Sequence, residues 1–135
     1  MQFILKKNLV NNDFSISKLS FVGNRDINLR LKEKLNNLTL IEKNKGFELQ
    51  IFSIEKKEIL AKNISGDPMS FKTTMIIEVK VLMENKLKNN LQIVEDFNYN
   101  NDDNKFNLKT YEKQIRNNLA DNATGKLIQK LSNIQ

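Results

Sequence analysis

The chain has 135 residues, a formal net charge of +6, and neither Cys nor His. It therefore has no cysteine nucleophile, no Ser–His pair and no Cys/His zinc site. With only four glycines it also lacks the spacing of a Walker A loop or a dinucleotide fingerprint, and no run of about eighteen apolar residues is present to cross a membrane as a helix. We expect one domain with an ordinary core, no enzymatic activity, no cofactor and no metal site.

The basic charge by itself says little about a partner. Lys outnumbers Arg by 19 to 3, and Asn occurs 21 times. This composition is typical of an AT-rich genome, and the Arg residues that favour bidentate contacts with phosphate or guanine are scarce. An anionic partner therefore has to be argued from where the lysines lie.

The first elements are predicted to be a strand and a helix. An imperfect alternation of apolar and polar residues predicts a strand from Asp13 to Val22. Gly23 and Asn24 then supply a turn and a helix N-cap. Apolar residues at three- and four-residue spacing follow, at Ile27, Leu31, Leu35 and Leu38. They predict a helix from Arg25 to Leu38.

Two further strands follow the helix. Alternation predicts a strand from Phe47 to Ile54, which should run parallel to the first one through a right-handed crossover. The charged residues from Glu55 to Glu58 have no clear period, so they form either a loop or a continuation of this strand. A long alternation predicts a third strand from Met69 to Met83, and its length favours a bend or bulge near Thr73 and Thr74.

The last third of the chain predicts a strand, a polar turn and a covering helix. The residues from Asn85 to Asn90 are expected to connect the third strand to an antiparallel fourth strand from Leu91 to Tyr99. An amphipathic helix then runs from Asn107 to Ser132, with Asn107 as its cap. Gly125 lies within this helix, where we expect it to allow a close approach to the sheet.

These elements add up to an α+β fold of order β-α-β-β-β-α. We expect a two-layer sandwich in which two helices cover one face of a four-stranded mixed sheet. The other face should be the more polar one, because the even positions of the long strand are mostly polar. Lys72 and Lys80 lie on that face, which makes them candidate contacts for an anionic lipid, although such lysines are usually only solvated.

Aromatic residues near the end of the fourth strand allow an alternative interpretation. Phe97 and Tyr99, with Lys105 and Phe106, could stack on single-stranded nucleic acid. However, the Lys/Arg-Gly-aromatic signature of RNA-binding strands is absent, and both aromatic residues share the apolar face of their strand. Core packing is therefore favoured, and a cytosolic α+β nucleic-acid-binding module remains the alternative function.

Three carboxylates are the candidates for chemistry that uses acids alone. Asp96 begins a partial match to a calcium-binding loop, but Asn101 stands where that loop needs Gly, and Asn107 where it needs a bidentate Glu. Asp102 and Asp103 have the composition of a solvated turn, without an apolar pocket to shift a pKa. The sequence therefore predicts no catalytic and no metal-binding role for these residues.

Two stretches, together with the order of the elements, resemble a known family. The first is Gly23–Leu31, where a strand turns through Gly-x-Arg into an amphipathic helix. The second is Phe97-Asn98-Tyr99, followed by a polar loop and a helix that contains Ala120 and Ala123. In these features, over nearly its whole length, the chain resembles the lipopolysaccharide-assembly lipoprotein family, LptE, in its alphaproteobacterial form.

The resemblance implies an outer-membrane lipoprotein that is anchored by lipid on the periplasmic face. In the family, this protein plugs and supports the LptD barrel and binds lipopolysaccharide (LPS), and no nucleic acid is involved. Family members begin with a lipidated Cys followed by an aromatic residue. Met1-Gln2-Phe3 has that shape with Met1 in the Cys position, so we expect a single domain over residues 1–135 whose residues 1–12 form a flexible segment after the lipidated position.

Overall fold

The structure is a computed structural model and describes residues 14–39 and 45–134. The predicted flexible segment 1–12, including Met1, lies outside these residues. The elements in chain order are β1 (Phe14–Gly23), α1 (Arg25–Thr39), β2 (Lys45–Lys62), β3 (Pro68–Met83), β4 (Lys86–Asn100) and α2 (Lys105–Ser132). The strands form one sheet in the order β1-β2-β3-β4, with β1 parallel to β2 and the other two pairs antiparallel. The predicted α+β class and the β-α-β-β-β-α order are confirmed.

A bulge in β1 explains the imperfect alternation of the first strand. Phe14 and Ile16 are buried, whereas further along the strand Leu19 and Phe21 pack against the same core. The pairing of β1 with β2 shifts just after Ile16, so that Ser17 is an extra residue. After one extra residue, odd-numbered side chains point to the side of the sheet to which even-numbered ones pointed before it. Apolar residues therefore face the helices on both sides of the bulge.

The turn between β1 and α1 requires glycine. Gly23 has a φ of +104°, and a Cβ at this position would lie 2.1 Å from the backbone oxygen of Ser53. The next residue, Asn24, donates its backbone N–H to that same oxygen at 2.9 Å, and its Oδ1 accepts the N–H of Ile27 at 2.9 Å. Asn24 is therefore the N-cap that the sequence predicts, and it is tied directly to β2.

The charged residues from Glu55 to Glu58 are part of β2, which continues to Lys62. Of the two alternatives that the sequence left open, a loop or a continuation of the strand, the second is therefore correct. The bulge expected near Thr73 and Thr74 is wrong, because both residues pair with β2 and β4 without interruption. The irregular pairings lie instead between Ile59 and Lys62 and beside Val81. A neighbouring strand on each side supplies hydrogen bonds throughout the middle of β3, so its length needs no break there.

The connection between β3 and β4 is shorter than predicted. Glu84 and Asn85 both have positive φ angles, +53° and +65°, as the two central residues of a type I′ turn require. β4 therefore begins at Lys86, five residues before the predicted Leu91. The predicted connection from Asn85 to Asn90 is wrong because a two-residue turn lets pairing resume at once.

The last helix begins before its predicted start. It runs from Lys105 to Ser132, and its N-cap is Asn104, whose side chain accepts the N–H groups of Phe106 and Asn107. Asn107 is thus a residue of the first turn and not the cap. The interaction of the Asn104 side chain with two free N–H groups is what sets the start of the helix.

α2 buries two of its small residues, but not its glycine. Ala120 and Ala123 are both almost completely buried. Gly125 is exposed, and a Cβ built on it would meet nothing within 4 Å. The expectation that Gly125 allows close approach is therefore wrong, because this residue lies on the solvent side of the helix.

Candidate binding surface on the open face of the sheet

The two faces of the sheet have different surroundings. On β3, alternate residues lie under the helices and are buried, namely Phe71, Thr73, Met75, Ile77, Val79 and Val81. The residues between them point to the other side, which no described helix covers. We call that side, formed by the outward residues of the four strands, the open face.

Lys72 and Lys80 both lie on the open face but are far apart. Eight residues of extended strand separate them, which is about 26 Å. Lys72 Nζ lies 4.0 Å from Oδ2 of Asp96 on the neighbouring strand, so an opposite charge already accompanies it. The structure therefore does not bring the two predicted lysines into one site.

A trough crosses the open face around Lys80. Its volume is about 600 Å³, and its floor is the backbone of the sheet. Two rows of residues paired across all four strands border it: Val22, Phe52, Glu78 and Gln92 in one row, and Ser20, Gln50, Lys80 and Asn90 in the other. We call this feature the trough.

A short apolar row lies beside the trough. Ile54, Ile76 and Val94 are directly opposite one another on the three strands β2 to β4. The open face is thus less uniformly polar than expected, since Val94 and the trough residue Phe52 remain exposed. This row can be recognised only when the strands are aligned in their correct register, and the sequence of one strand does not reveal that register.

The β2–β3 hairpin carries a second exposed apolar surface. We call residues 59–69, which include the turn between the strands, the hairpin tip. Three of its apolar side chains are about half exposed, namely Ile59, Leu60 and Met69. Ile64 is fully exposed. The irregular pairing between Ile59 and Lys62 falls at the start of this segment.

Ionic contacts tie the base of the hairpin to α2. Lys57 Nζ lies 2.8 Å from Oε2 of Glu112 and 4.1 Å from the centre of the Phe71 ring, and the Tyr99 hydroxyl donates to the same Glu112 oxygen. Burial, and then the hydrogen bond to Glu112, raise the pKa of Tyr99. Burial opposes the charge on Glu112, but the hydrogen bonds from Lys57 and Tyr99 outweigh it, so the pKa of Glu112 is lowered.

Two further ion pairs hold the helices in place. Arg116 Nε donates to Oε1 of Glu55 at 2.8 Å, and the bidentate contact of Arg30 with Asp121, at 2.8 and 2.9 Å, joins α1 to α2. Burial works against the charge of Arg116, but the hydrogen bond to Glu55 raises its pKa. The hydrogen bond from Arg30 lowers the pKa of Asp121. These groups are paired acids and bases that connect neighbouring elements of the fold.

The aromatic residues considered for nucleic-acid stacking do not form one platform. Tyr99 is buried against Phe71 and Tyr111, with ring centres 5.5 and 6.0 Å away. Phe97 points to the helix side but is 44% exposed, because β4 is the edge strand and α2 covers it only in part. The expectation of core packing therefore holds for Tyr99 and not for Phe97, and Phe106 is exposed at the first turn of α2.

The three carboxylates of interest are exposed. Asp96 lies on β4, and Asp102 accepts the N–H of Asn104 at 2.8 Å as a residue of the turn before α2. Asp103 lies in the same turn. Within residues 14–39 and 45–134, no three acidic side chains are grouped to hold a metal ion, and no helix is long and apolar enough to cross a membrane.

The fold and its surfaces define a small two-layer α+β domain with one covered and one open sheet face. No family model matches the sequence. No curated protein matches it at a significant level.

Solved structures of several bacterial lipoproteins share this fold. The rare lipoprotein B of Shewanella oneidensis superposes with a TM-score of 0.59 at 14% identity and covers 84% of this chain and 95% of its own. An uncharacterised lipoprotein B of Nitrosomonas europaea superposes with a TM-score of 0.61 at 14% identity, over 98% of this chain and 91% of its own. A putative lipoprotein of Caulobacter crescentus gives a TM-score of 0.59 at 12% identity, with 87% of each chain covered. The chain therefore has the fold of these lipoproteins.

Proposed function

We propose that this chain is an outer-membrane lipoprotein of the LptE type, held by lipid on the periplasmic face, which plugs and supports an LptD-like barrel and binds LPS. The observation that carries the proposal is the fold, which lipoproteins of different bacteria share over 84% to 98% of this chain. The local resemblances at Gly23–Leu31 and at the end of β4 support the same family.

The shape of the domain suits a plug. A plug inside a barrel must present polar surface to a polar lumen and keep its form while the barrel assembles around it. The outward side of α2 and most of the open face are polar. The ion pairs of Arg30 with Asp121 and of Arg116 with Glu55 join the helices to each other and to the sheet, which favours a rigid body.

The lysines of the open face are the proposed contacts for the phosphates of LPS. Lys80 has no ion-pair partner among the residues that the structure describes, whereas Lys72 lies near Asp96. An exposed ammonium group attracts phosphate as a point charge, and a neighbouring carboxylate weakens that attraction. Lys80 should therefore contribute more than Lys72.

Co-purification tests the barrel partner. The protein, with its native N-terminus, is extracted in detergent from membranes of its source cell, and its partners and intact mass are measured. A large β-barrel protein at equal stoichiometry and an acylated N-terminus are expected. A soluble, unmodified protein without a barrel partner would contradict the proposal, and RNA binding that weakens between roughly 50 and 200 mM salt would favour the nucleic-acid alternative.

Charge reversal tests the lipid contact. The double variant Lys72→Glu with Lys80→Glu should bind immobilised LPS more weakly than the wild type. A matched double variant, Lys109→Glu with Lys113→Glu, changes the same net charge on the exposed side of α2 and should bind nearly as well as the wild type. Equal binding by both double variants would show that Lys72 and Lys80 are only solvated.

A further inference from the structure

β4 is an edge strand whose outer side is open along most of its length. It pairs with β3 on one side, without interruption from Asn89 to Asn100, and no described strand pairs with its other side. The backbone N–H and C=O groups on that outer side are therefore available to a further strand.

The features that usually protect an edge strand are confined to the start of β4. Lysines, prolines and bulges discourage a second strand from pairing with an edge. The only basic residues of β4 are Lys86 and Lys88, and its only irregular pairing with β3 falls between Leu87 and Asn89. From Asn89 onward the strand has no Lys, Arg, Pro or bulge, so this part of the edge is unprotected.

The other edge strand, β1, is less suited to a new partner. A bulge follows Ile16, and Lys18 comes directly after it. β1 also has only 10 residues, whereas β4 has 15. A short and interrupted edge offers little regular backbone to a second strand, so strand addition is favoured at β4.

Apolar surface is exposed on both sides of the β4 edge. On the helix side, a cleft of about 470 Å³ lies between β4 and α2, and Phe97, Ile115 and Leu119 are among its lining residues. On the open face, Val94 is 47% exposed. A strand added at this edge would cover part of that surface, which favours association.

The charges of β4 indicate which strand fits. Two lysines lie among its first three residues, whereas Glu95 and Asp96 lie towards its end. Glu95 already pairs with Lys126 at 2.5 Å, but the contact of Asp96 with Lys72 is long, at 4.0 Å. If two β4 strands pair antiparallel, the basic start of each lies beside the acidic end of the other. The edge is therefore complementary in charge to a second copy of itself.

We propose that two copies of this chain associate through their β4 strands, which pair antiparallel about a twofold axis at Gln92. The two four-stranded sheets then form one continuous sheet. In this register, Gln92 lies opposite the partner's Gln92, and Leu91 lies opposite the partner's Ile93. Lys88 comes close to the partner's Asp96, and symmetry repeats each contact.

Neighbouring registers fit less well. Opposite residues of an antiparallel pair share one face of the sheet, so the axis has to pass through a residue. An axis at Leu91 would place Ile93 opposite the partner's Asn89. An axis at Ile93 would place Leu91 opposite the partner's Glu95. Both alternatives set an apolar side chain against a polar one, which the axis at Gln92 avoids.

The dimer is a property of the chain outside a barrel. It goes beyond the proposed function, because it requires neither lipid nor a barrel protein, and either proposal can fail while the other holds. One strand from each copy makes an interface smaller than the roughly 1,600 Å² of stable complexes. We therefore expect a dissociation constant of about 10 to 100 μM.

Sedimentation velocity of the full-length chain tests the association. Between about 1 and 300 μM, the average mass should rise from that of one chain, 15.7 kDa, towards twice that value. A mass that stays at one chain over this range overturns the proposal.

A single cysteine tests the register, because the chain contains no Cys. Opposite residues of an antiparallel pair have Cα atoms about 4.5 to 5.5 Å apart, which a disulfide can span. Gln92→Cys should therefore form a disulfide-linked dimer about tenfold faster than Asn98→Cys. Asn98 is the matched control, since it is exposed on the same face of β4, but its two copies would lie about 40 Å apart. Equal rates overturn the proposal.

A charge swap tests the complementarity. Lys88→Glu and Asp96→Lys should each raise the dissociation constant about fivefold, because each change places like charges together at two symmetric positions. The two changes combined should return it to about the wild-type value. Lys109→Glu, on the exposed side of α2, is the matched control and should have no effect. Single variants without effect, or a combined variant that does not recover, overturn the proposal.

Discussion

The two faces of the sheet show how the same strands perform different tasks. Phe47 and Phe52 lie five residues apart on β2, yet Phe47 is completely buried under the helices and Phe52 is 39% exposed on the open face. Phe47 packs against Phe14, with ring centres 5.8 Å apart, while Phe52 has Val22 and Glu78 beside it. The covered face supplies the buried core of the fold, whereas the open face leaves apolar side chains such as Phe52 partly exposed.

Polar groups differ between the two faces in the same way. On the covered side, the carboxylates of Glu55 and Glu112 have basic partners on neighbouring elements. In the trough, Lys80 has no such partner among the described residues, and Glu78 has only its long contact with Gln92. Paired charges hold elements together, whereas side chains without protein partners are open to a ligand, and substitutions on the two faces should show this difference.

Removing the two phenylalanine rings should produce the largest contrast. Phe47→Ala leaves a cavity in the core and should lower the free energy of unfolding by about 4 kcal/mol. Phe52→Ala removes a half-exposed ring and should lower it by about 1 kcal/mol or less. Denaturant unfolding followed by circular dichroism measures both values. Similar losses for the two variants would mean that the open face is also part of the core.

Replacing the glycine at the β1–α1 turn should have the next largest effect. Gly23→Ala combines a positive φ with a contact of 2.1 Å to the Ser53 oxygen, and should cost about 3 kcal/mol of unfolding free energy. Gly66→Ala is the matched control, because Gly66 also has a positive φ, +88°, but nothing lies within 4 Å of its added Cβ. It should cost only about 1 kcal/mol, and an equal cost for both would contradict the role of the clash with Ser53.

The carboxylate of Glu112, which is paired with Lys57 on the covered side, should make the stability of the fold depend on pH. Because the pKa of Glu112 is lower in the folded state than the ordinary value of 4.5, its stabilising contribution is complete above that value and is lost as the pH falls through the folded pKa. Glu112→Gln should therefore lower the free energy of unfolding by about 1 kcal/mol at pH 7.

Unfolding of the wild type and of Glu112→Gln is compared from about pH 7 down to about pH 3. The difference between the two should shrink as the pH falls below 4.5. The matched control is Glu58→Gln, an exposed residue of β2 with no ion pair among the residues described, which should change the stability little at pH 7. A constant difference for Glu112→Gln over the whole range would show that its charge does not contribute.

A substitution at Gly125, on the exposed side of α2, should increase the stability of the fold. Gly125→Ala adds a methyl group where nothing lies within 4 Å, and alanine has the higher helix propensity. The free energy of unfolding should rise by about 0.8 kcal/mol, which a higher midpoint of thermal unfolding would report. A loss of stability would mean that this side of α2 is not free.

Local residue patterns predicted most of the elements but few of their ends. The N-cap Asn24 and the apolar residues spaced three and four apart correctly predicted α1, because a cap and an amphipathic stripe are short-range features. The start of β4 was missed, because Glu84 and Asn85 do not have the usual composition of a type I′ turn. The extent of β2 was left open, because its charged end is a strand only through its pairing with β3.

By itself, the sequence determined the order of the elements and most of the residues that must be buried, because the spacing of apolar residues is a property of the chain. It also placed Lys72 and Lys80 on the less apolar face. Only the tertiary structure decided which side chains meet: it paired Phe52 with Val22, separated the two lysines, and left Phe97 partly uncovered at the sheet edge. The reason is that register and the reach of a covering helix depend on residues distant in the chain, which no local pattern contains.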